Sequence, residues 1–272
     1  MTSAHAVAPE STVSAERSAA KKRRSWGKVM IPAVFIIVMG GWEAAVRLFG
    51  IEEYILPAPL AILKSFQGEW GEMLGHTWPT LLEAVLGYAI GNAFAMVLAA
   101  LMAEFRQLEV AIYPYIIGLR SVPVVAIAPL LIIWFGFSIW PIVGAAALIS
   151  FFPTLVNGID GFKSTDTTTL ELMRGLNASR WQTFRMVKLP NAAPYLFAAL
   201  KISVASAMVG AVVGEWIAAD KGLGYLTIVA NNYVDTLLLF RAVVLISLIA
   251  LVWFLSVMAI EAYVLRWKRR QA

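Results

Sequence analysis

The chain has 272 residues, of which 60% are hydrophobic and 14% are charged, and its formal net charge is +5. Because a soluble globular domain is roughly half apolar and about a quarter charged, this chain lacks the polar residues to cover a soluble surface. Cysteine is absent and only His5 and His76 are present, which excludes a disulfide framework and argues against thiolate, histidine-triad or metal chemistry. The composition therefore predicts an integral membrane protein.

Six apolar runs are long enough to cross a bilayer as helices, because a core of roughly 30 Å needs about 20 residues. In chain order they are Val29–Phe49, Thr80–Ala103, Val110–Phe135, Ile139–Asn157, Leu196–Ile217 and Phe240–Val264. The runs are too long and too continuously apolar to be strands of a membrane barrel. The first ends in Glu43 and Arg47, which can pair on one helix face, and it is too long for a cleavable signal. We expect an all-α protein with six transmembrane helices.

The distribution of basic residues orients the predicted helices. Sixteen of the 22 Lys and Arg residues lie in the two terminal tails, the turn after the second span and the loop after the fourth, whereas the other side has only Lys64 and Lys221. By the positive-inside rule both termini are cytoplasmic. Residues 1–28 are predicted to be a disordered basic tail, 29–265 the membrane domain and 266–272 a second basic tail. Since this bias explains the net charge, no nucleic-acid partner is expected.

Two predicted spans carry small residues at four-residue spacing, which places them on one helix face. The second span has such a row, and it comprises Gly87, Gly91, Ala95, Ala99 and Ala103. The fifth span has Ser206, Gly210 and Gly214 at the same spacing. Such rows allow backbones to approach closely in lipid. For the second span we favour packing within the bundle, while a subunit interface or a pathway wall stays open for the fifth.

The third predicted span, Val110–Phe135, would be about 39 Å long as one helix, which is more than the bilayer core. It contains three prolines, and we expect a break near Ser121–Pro123 because proline removes a backbone donor. A broken helix at depth is tolerated inside protein or along a cavity, which makes the segment a candidate pathway lining. The alternative is an interfacial helix followed by an ordinary span.

Acidic residues within the spans are few. Glu83 begins the second span and Glu215 ends the fifth, and both are placed near the external interface. Each can face a substrate vestibule, although reaching to the lipid headgroups is the favoured interpretation. The nearby segment Asp220–Tyr225 contains two glycines and is either a gate loop or an ordinary turn.

The longest polar interruption on the cytoplasmic side is Gly158–Pro194. Two short helices are predicted within it, Thr169–Leu176 and Arg180–Val187. Asn177 is suited to the left-handed conformation that ends the first helix, and Ser179 can cap the second. Pro190 is expected to stop the second helix. Such a segment is a docking element for a partner or a lid packed on the membrane face.

This segment resembles the EAA loop of ABC-importer permeases, whose motif is E-A-A-x3-G-x9-I-x-L-P. Glu171, Leu189 and Pro190 match the motif outright, and Val187 is a conservative match to its isoleucine. Asn177 stands where the motif has glycine and preserves access to a positive φ. Leu172 and Met173 replace the two alanines. We name residues 158–195 the EAA-like loop.

Two further stretches extend the resemblance to one subfamily. Ser121–Phe137 and Gly210–Leu226 are similar to the sulfonate/taurine/nitrate-type permeases, which include permeases for thiamine-precursor pyrimidines and riboflavin. The resemblance implies the type I ABC importer permease fold in the plasma (inner) membrane. It also implies a second permease subunit, expected to be another copy of this chain, two copies of an ATPase subunit and an extracytoplasmic substrate-binding protein.

The resemblance also assigns roles to residues. The chain lacks a G-x4-G-K-[ST] phosphate loop, so ATP and Mg are expected on the partner ATPase, with no cofactor and no catalytic residue here. The residues expected to couple the permease to the ATPase are Glu171, Leu172, Met173, Arg174, Leu176, Asn177, Arg180, Val187, Leu189 and Pro190. The candidate pathway residues are Asn92, Pro123, Trp134, Asn157, Ser203, Ser206, Gly210, Glu215 and Trp216.

Two other classes of protein are alternatives to the importer permease. An ion-coupled secondary transporter predicts inverted repeats and intramembrane ion ligands, and the sequence has no convincing repeat and no acidic cluster at mid-membrane. A membrane enzyme needs a nucleophile or a metal constellation, and no such residues cluster in the sequence. Both are less favoured than the permease.

Overall fold

The computed structural model describes residue 30 and residues 32–270, with side chains as far as Trp267. The predicted tail at 1–28, the predicted start of the first span at Val29 and the last two residues of the chain lie outside the described residues. The part of the chain that is described consists of helices and short connections and contains no strand. The predicted all-α class is confirmed.

The chain divides into two compact units at Lys64. In the first unit, helix α1 covers 32–48 and helix α2 is Pro59–Ser65, whose last residue belongs to the second unit. Arg47 Nε donates to Glu43 Oε1 at 2.7 Å, which confirms the predicted pair. The backbone N–H of Leu60 donates to the other Glu43 oxygen at 3.0 Å. Glu43 therefore ties α1 to the start of α2.

The second unit contains the long helices. Its elements are α3 (Trp70–Glu104), α4 (Arg106–Arg120), α5 (Val124–Phe135), α6 (Trp140–Lys163), α7 (Thr167–Gly175), α8 (Arg180–Thr183), a π-helical turn (Phe184–Lys188), α9 (Leu189–Ala218), α10 (Leu223–Tyr233), α11 (Thr236–Val264) and a 3₁₀ turn (Leu265–Arg270).

Four helices in the described residues are long and apolar enough to cross a membrane, and the bent pair α4–α5 makes a fifth if it counts as one span. The four are α3, α6, the continuous helix Arg180–Ala218 and the helix Thr236–Trp267. These five correspond in order to the second to sixth predicted spans. The six-span count and the cytoplasmic position of both termini stay predictions, because the described part of α1 is too short to decide.

The predicted break in the third span is confirmed. α4 ends at Arg120, α5 begins at Val124, and the two helices are bent by 102°. Pro123 lies at the bend with φ −61° and ψ 127° and precedes the first turn of α5, where its missing N–H costs nothing. The bend therefore follows from local proline chemistry.

Helix α6 lies at the centre of the second unit, with α3 and α9 packed against it. A Cβ added to Gly87 on α3 would lie 2.8 Å from the Val143 carbonyl oxygen, and one added to Gly210 on α9 would lie 2.8 Å from that of Ala145. Both rows of small residues therefore hold backbones close together within this chain. This confirms the interpretation for the second span and answers the open question for Gly210 in the fifth.

The predicted stop at Pro190 is wrong. The second loop helix begins at Arg180 as α8, widens into the π-helical turn and continues without interruption into α9. In the wide turn the N–H of Leu189 donates to the carbonyl of Phe184, five residues back. Pro190 then occupies the second position of α9, and the changed hydrogen-bond register accommodates a residue that has no N–H to donate.

Candidate functional site

The EAA-like loop reverses the chain between α7 and α8. Asn177 adopts a φ of 53°, which confirms its predicted left-handed conformation. The N–H of Ala178 donates to the Met173 carbonyl at 3.0 Å and closes the end of α7. At the start of α8, the Ser179 side chain accepts from the Gln182 N–H at 3.2 Å, while Gln182 Oε1 accepts from the Ser179 N–H at 2.8 Å. This reciprocal cap confirms the role predicted for Ser179.

Aromatic stacking and two ion pairs attach the ends of the loop to the helix bundle. The Phe184 ring stacks on Phe162 of α6 with 5.5 Å between ring centroids. Lys163 Nζ lies 2.5 Å from Glu109 of α4, and Lys188 Nζ lies 2.5 Å from Glu104 at the end of α3. The base of the loop is thereby held against the ends of three long helices.

The outer part of the loop exposes large apolar side chains and charged groups. Four large apolar side chains are between 62% and 68% exposed, namely Leu172, Leu176, Trp181 and Met186. Glu171, Arg174 and Arg180 are exposed beside them and form no ion pair with any described residue. An apolar patch mixed with unpaired charges is typical of a surface that binds another protein.

The turn between α9 and α10 lies at the opposite end of the bundle from this loop. A helix leaves its first N–H groups without partners, and here side chains of α3 and α9 accept four of them. The N–H of Gly222 donates to His76 Nδ1 at 3.1 Å and that of Leu223 to Thr80 Oγ1 at 2.8 Å. We name this set of contacts the α10 clasp. Two of its four contacts are made by a single carboxylate group.

Glu215 of α9 supplies the other two acceptor positions of the α10 clasp through a single oxygen. Its Oε2 accepts from the N–H of Gly224 at 2.5 Å and from that of Tyr225 at 3.2 Å. Gly222 has a φ of 126°, and a Cβ there would collide with the Glu215 carboxyl group. Gly222 is therefore required both by its backbone conformation and by the closeness of Glu215.

The acidic residues do not reach toward lipid headgroups as the sequence favoured. Glu83 is 3% exposed and Glu215 is 1% exposed, so both carboxyl groups are buried, and they lie near each other inside the bundle. The sequence assigned no contact to His76 or Thr80. The sequence does contain a signal for a polar cluster at this position. His76, Thr80 and Glu83 are spaced four and three residues apart and so share one face of a mostly apolar helix.

Two of the candidate pathway residues, Asn92 and Ser203, contact the same residue, Thr154, in the interior. Thr154 Oγ1 of α6 donates a hydrogen bond to Asn92 Oδ1 of α3. The Ser203 hydroxyl of α9 lies 3.0 Å from that of Thr154 and donates to the Ser150 carbonyl at 2.9 Å. These side chains are buried, and their hydrogen bonds link the three central helices.

The other candidate pathway residues are dispersed over the second unit. Trp134 is exposed on α5, and Trp216 is exposed and donates its Nε1–H to Thr227 at 2.9 Å. Asn157 and Ser206 are half-buried and hydrogen-bond to backbone carbonyls of their own helices. Pro123 lies at the α4–α5 bend, Gly210 at the contact with α6, and Glu215 in the α10 clasp. In the described part of the chain, no three His, Asp or Glu side chains come together to hold a metal ion.

Comparison with known proteins gives a consistent result. The family described as the binding-protein-dependent transport system inner membrane component matches residues 91–270, which include the EAA-like loop. The chain is 32% identical over 250 residues to the formylaminopyrimidine transport permease protein ThiX of Halalkalibacterium halodurans, covering 92% of this chain and 100% of that protein. It is 34% identical over 252 residues to the riboflavin transport system permease protein RibX of Chloroflexus aurantiacus, covering 91% and 93%.

The fold also has a solved counterpart. The structure is similar to a chain of the MetNI methionine ABC transporter in an inward-facing conformation, with a TM-score of 0.59 and 19% sequence identity, covering 71% of this chain and 98% of that chain. At this identity the likeness shows the fold. The family match and the identity to the two relatives lead to one conclusion. The chain belongs to the family of inner membrane components of binding-protein-dependent transport systems and is a multi-pass permease subunit of an ABC importer.

Proposed function

We propose that the EAA-like loop is the docking site for a cytoplasmic ATPase subunit and that this chain converts movement of the loop into opening and closing of a pathway for a small solute. Two ATPase copies, which bind ATP and Mg, would act on two permease subunits, the second being another copy of this chain. An extracytoplasmic binding protein would deliver the solute. The observation that carries the proposal is the exposed, unpaired surface of the loop, continuous with a membrane-spanning helix.

The roles within the loop follow from residue chemistry. Leu172, Met173 and Leu176 would fill an apolar groove on the ATPase, because burying exposed apolar side chains is the main favourable contribution to such an interface. Glu171, Arg174 and Arg180 would make polar contacts around them. Asn177, Val187, Leu189 and Pro190 would shape the turn and its junction with α9, in keeping with their match to the EAA motif.

The mechanical link in this proposal is the helix Arg180–Ala218. It has 39 residues, so it is about 58 Å long and extends from the loop to the α10 clasp. A displacement of its first turn by the ATPase would therefore be carried to Glu215 at its far end. The α10 clasp and the loop would thus be two ends of one moving element, as alternating access requires.

The solute is proposed from the relatives. Those described above are named for transport of formylaminopyrimidine and of riboflavin. We propose a small solute of the pyrimidine, riboflavin, sulfonate or nitrate type for this chain, with most of the selectivity set by the binding protein. A panel of such solutes, tested for stimulation of ATP hydrolysis by the assembled transporter, would identify it.

The docking role can be tested with two proline substitutions, one at the start of α7 and one directly after its last residue. The N–H of Leu176 donates to the Leu172 carbonyl at 2.9 Å, so Leu176→Pro removes a hydrogen bond at the end of the helix and is expected to abolish coupled uptake. Thr167→Pro is the matched control, because the first position of a helix tolerates proline. Glu171→Ala is expected to lower uptake without affecting membrane insertion.

The measurement is solute uptake and ATP hydrolysis in proteoliposomes that contain the chain, its ATPase subunit and its binding protein. Normal uptake by Leu176→Pro at normal expression would contradict the docking role. Uptake by the chain alone, driven by an ion gradient without ATP, would contradict the importer assignment and support the secondary transporter.

A further inference from the structure

The two short helices of the EAA-like loop enclose a polar cleft of about 380 Å³. Its walls carry three basic side chains, Arg174, Arg180 and Lys188, and one acidic side chain, Glu104. Leu170 and Thr183 also line it. We name it the loop cleft. It joins α7 and α8 to the end of α3, which contributes Glu104.

The charges around the loop cleft are unbalanced. Lys188 is already paired with Glu104 at 2.5 Å. Arg174 and Arg180 line the same cleft, are exposed, and form no ion pair with any described residue. Two like charges on one cavity repel each other unless an anion lies between them. The guanidinium group is suited to bind a carboxylate or a phosphate through paired hydrogen bonds.

The surroundings of the loop cleft favour a protein carboxylate over other anions. Leu172, Leu176 and Trp181 are exposed on the same two-helix loop, and an apolar surround that excludes water strengthens a charged contact between proteins. A free inorganic anion would gain nothing from these side chains. Asp166 and Glu171 are also exposed on this loop without an ion-pair partner among the described residues, and they would be repelled by an anionic membrane surface.

We propose that the loop cleft receives one acidic side chain, Asp or Glu, from the ATPase subunit that docks on the EAA-like loop. Arg174 and Arg180 hold the incoming carboxylate together, and Glu104 keeps Lys188 neutralised. The contact sets the register of the ATPase on the loop, because both arginines flank the turn at Asn177. This inference rests on the proposed docking role and adds the chemistry of the partner's contact.

The test measures the Kd between the full-length chain in nanodiscs and its purified ATPase subunit. Arg174→Gln and Arg180→Gln are each expected to weaken Kd by about 30-fold, as for removal of one partner of a desolvated charge pair. The double variant is expected to bind only slightly more weakly than either single variant, since both arginines hold the same carboxylate. Arg185→Gln is the matched control, because Arg185 is exposed on the adjacent π-helical turn and does not line the cleft.

The outcomes separate the inference from the docking role on which it rests. If the wild-type chain does not bind the ATPase at all, both fail. If the wild type binds and both arginine variants bind like Arg185→Gln, only the loop cleft inference is overturned. Fully additive effects in the double variant would also overturn it, because they indicate two separate contacts.

A comparison of two membrane compositions tests the lipid alternative. The effects of the arginine substitutions are expected to be equal in nanodiscs of neutral phosphatidylcholine and in nanodiscs that contain phosphatidylglycerol. An effect seen only with phosphatidylglycerol would assign the cleft to a lipid headgroup and overturn the proposal. Arg174→Lys, which keeps the charge but not the paired hydrogen bonds, is expected to recover part of the affinity.

Discussion

Glu215 holds the start of α10, and its replacement by alanine tests how much the α10 clasp contributes. Glu215→Ala removes the acceptor of the N–H groups of Gly224 and Tyr225, which donate to Oε2 at 2.5 and 3.2 Å. Leaving a buried donor without a partner costs about 1–3 kcal/mol. Gly224 is buried and Tyr225 is half-buried, so the expected loss of local stability is about 2–4 kcal/mol in total.

Glu215→Gln is the matched comparison. Both N–H groups donate to the same carboxylate oxygen, and the other oxygen, Oε1, has no hydrogen-bond partner among the described residues. The glutamine carbonyl can therefore take the place of Oε2 and keep both hydrogen bonds. The glutamine NH₂ group then takes the position of Oε1, near the Glu83 carboxyl group. The Glu83 carboxyl group can accept a hydrogen bond from it. We expect this variant to remain within about 1 kcal/mol of the wild type.

Amide hydrogen exchange of the full chain in nanodiscs measures the effect directly. Glu215→Ala is expected to raise the exchange rate at Gly224 and Tyr225 by about 30- to 1000-fold, which corresponds to 2–4 kcal/mol of local opening free energy. Glu215→Gln is expected to leave exchange there close to the wild-type rate. Wild-type exchange in the alanine variant, or equal damage by glutamine, would refute the role assigned to Glu215.

Three further predictions concern packing and capping. Gly91→Ala is expected to lower stability by about 1–3 kcal/mol, because its Cβ would lie 2.8 Å from Ser150 Oγ and 3.0 Å from the Ala147 carbonyl carbon. Thr154→Val keeps the side-chain shape but removes the hydroxyl that bonds to Asn92, at an expected cost of about 1–3 kcal/mol in thermal unfolding. Ser179→Ala is expected to cost about 1 kcal/mol in the local stability of α8, measured by exchange at the Gln182 amide.

The Gly91 and Ser179 substitutions each have a control on the same element. Gly75 lies on the same helix as Gly91, and no atom of the described residues lies within 4 Å of a Cβ added there, so Gly75→Ala is expected to be neutral or slightly stabilising. Equal effects at Gly75 and Gly91 would contradict the close packing of α3 on α6. Thr183→Ala is the control for Ser179→Ala on α8, because it leaves the Ser179–Gln182 cap intact. If Thr183→Ala reduced the exchange protection of the Gln182 amide as much as Ser179→Ala does, the capping role would be contradicted.

Features that depend on neighbouring residues in the sequence were predictable. The five spans of the second unit follow from the lengths of the apolar runs, and the break in the third follows from Pro123. The Glu43–Arg47 pair and the positive φ of Asn177 were predictable for the same reason, because helix spacing and residue type decide them.

Contacts between distant helices were not predictable in this way. Glu83 and Glu215 are separated by more than a hundred residues, and only the packing of α3 and α9 on α6 brings them together in the interior. The α10 clasp joins His76 and Gly222, 146 residues apart. The continuation of the loop helix into α9 was also not predictable in this way, because a proline usually marks a helix boundary and here a π-helical turn accommodates it.

The sequence by itself therefore determined the class of protein, most of its spans and the position of the segment that resembles an EAA loop. Each of these depends on hydrophobicity, helix periodicity or proline chemistry, which act over a few residues. Only the tertiary structure decided that the loop continues into α9. It also decided that the Glu215 carboxylate, near the end of α9, binds the first N–H groups of α10. The physical reason is that a buried polar group must find its partner among whichever groups the folded helices bring within hydrogen-bond distance.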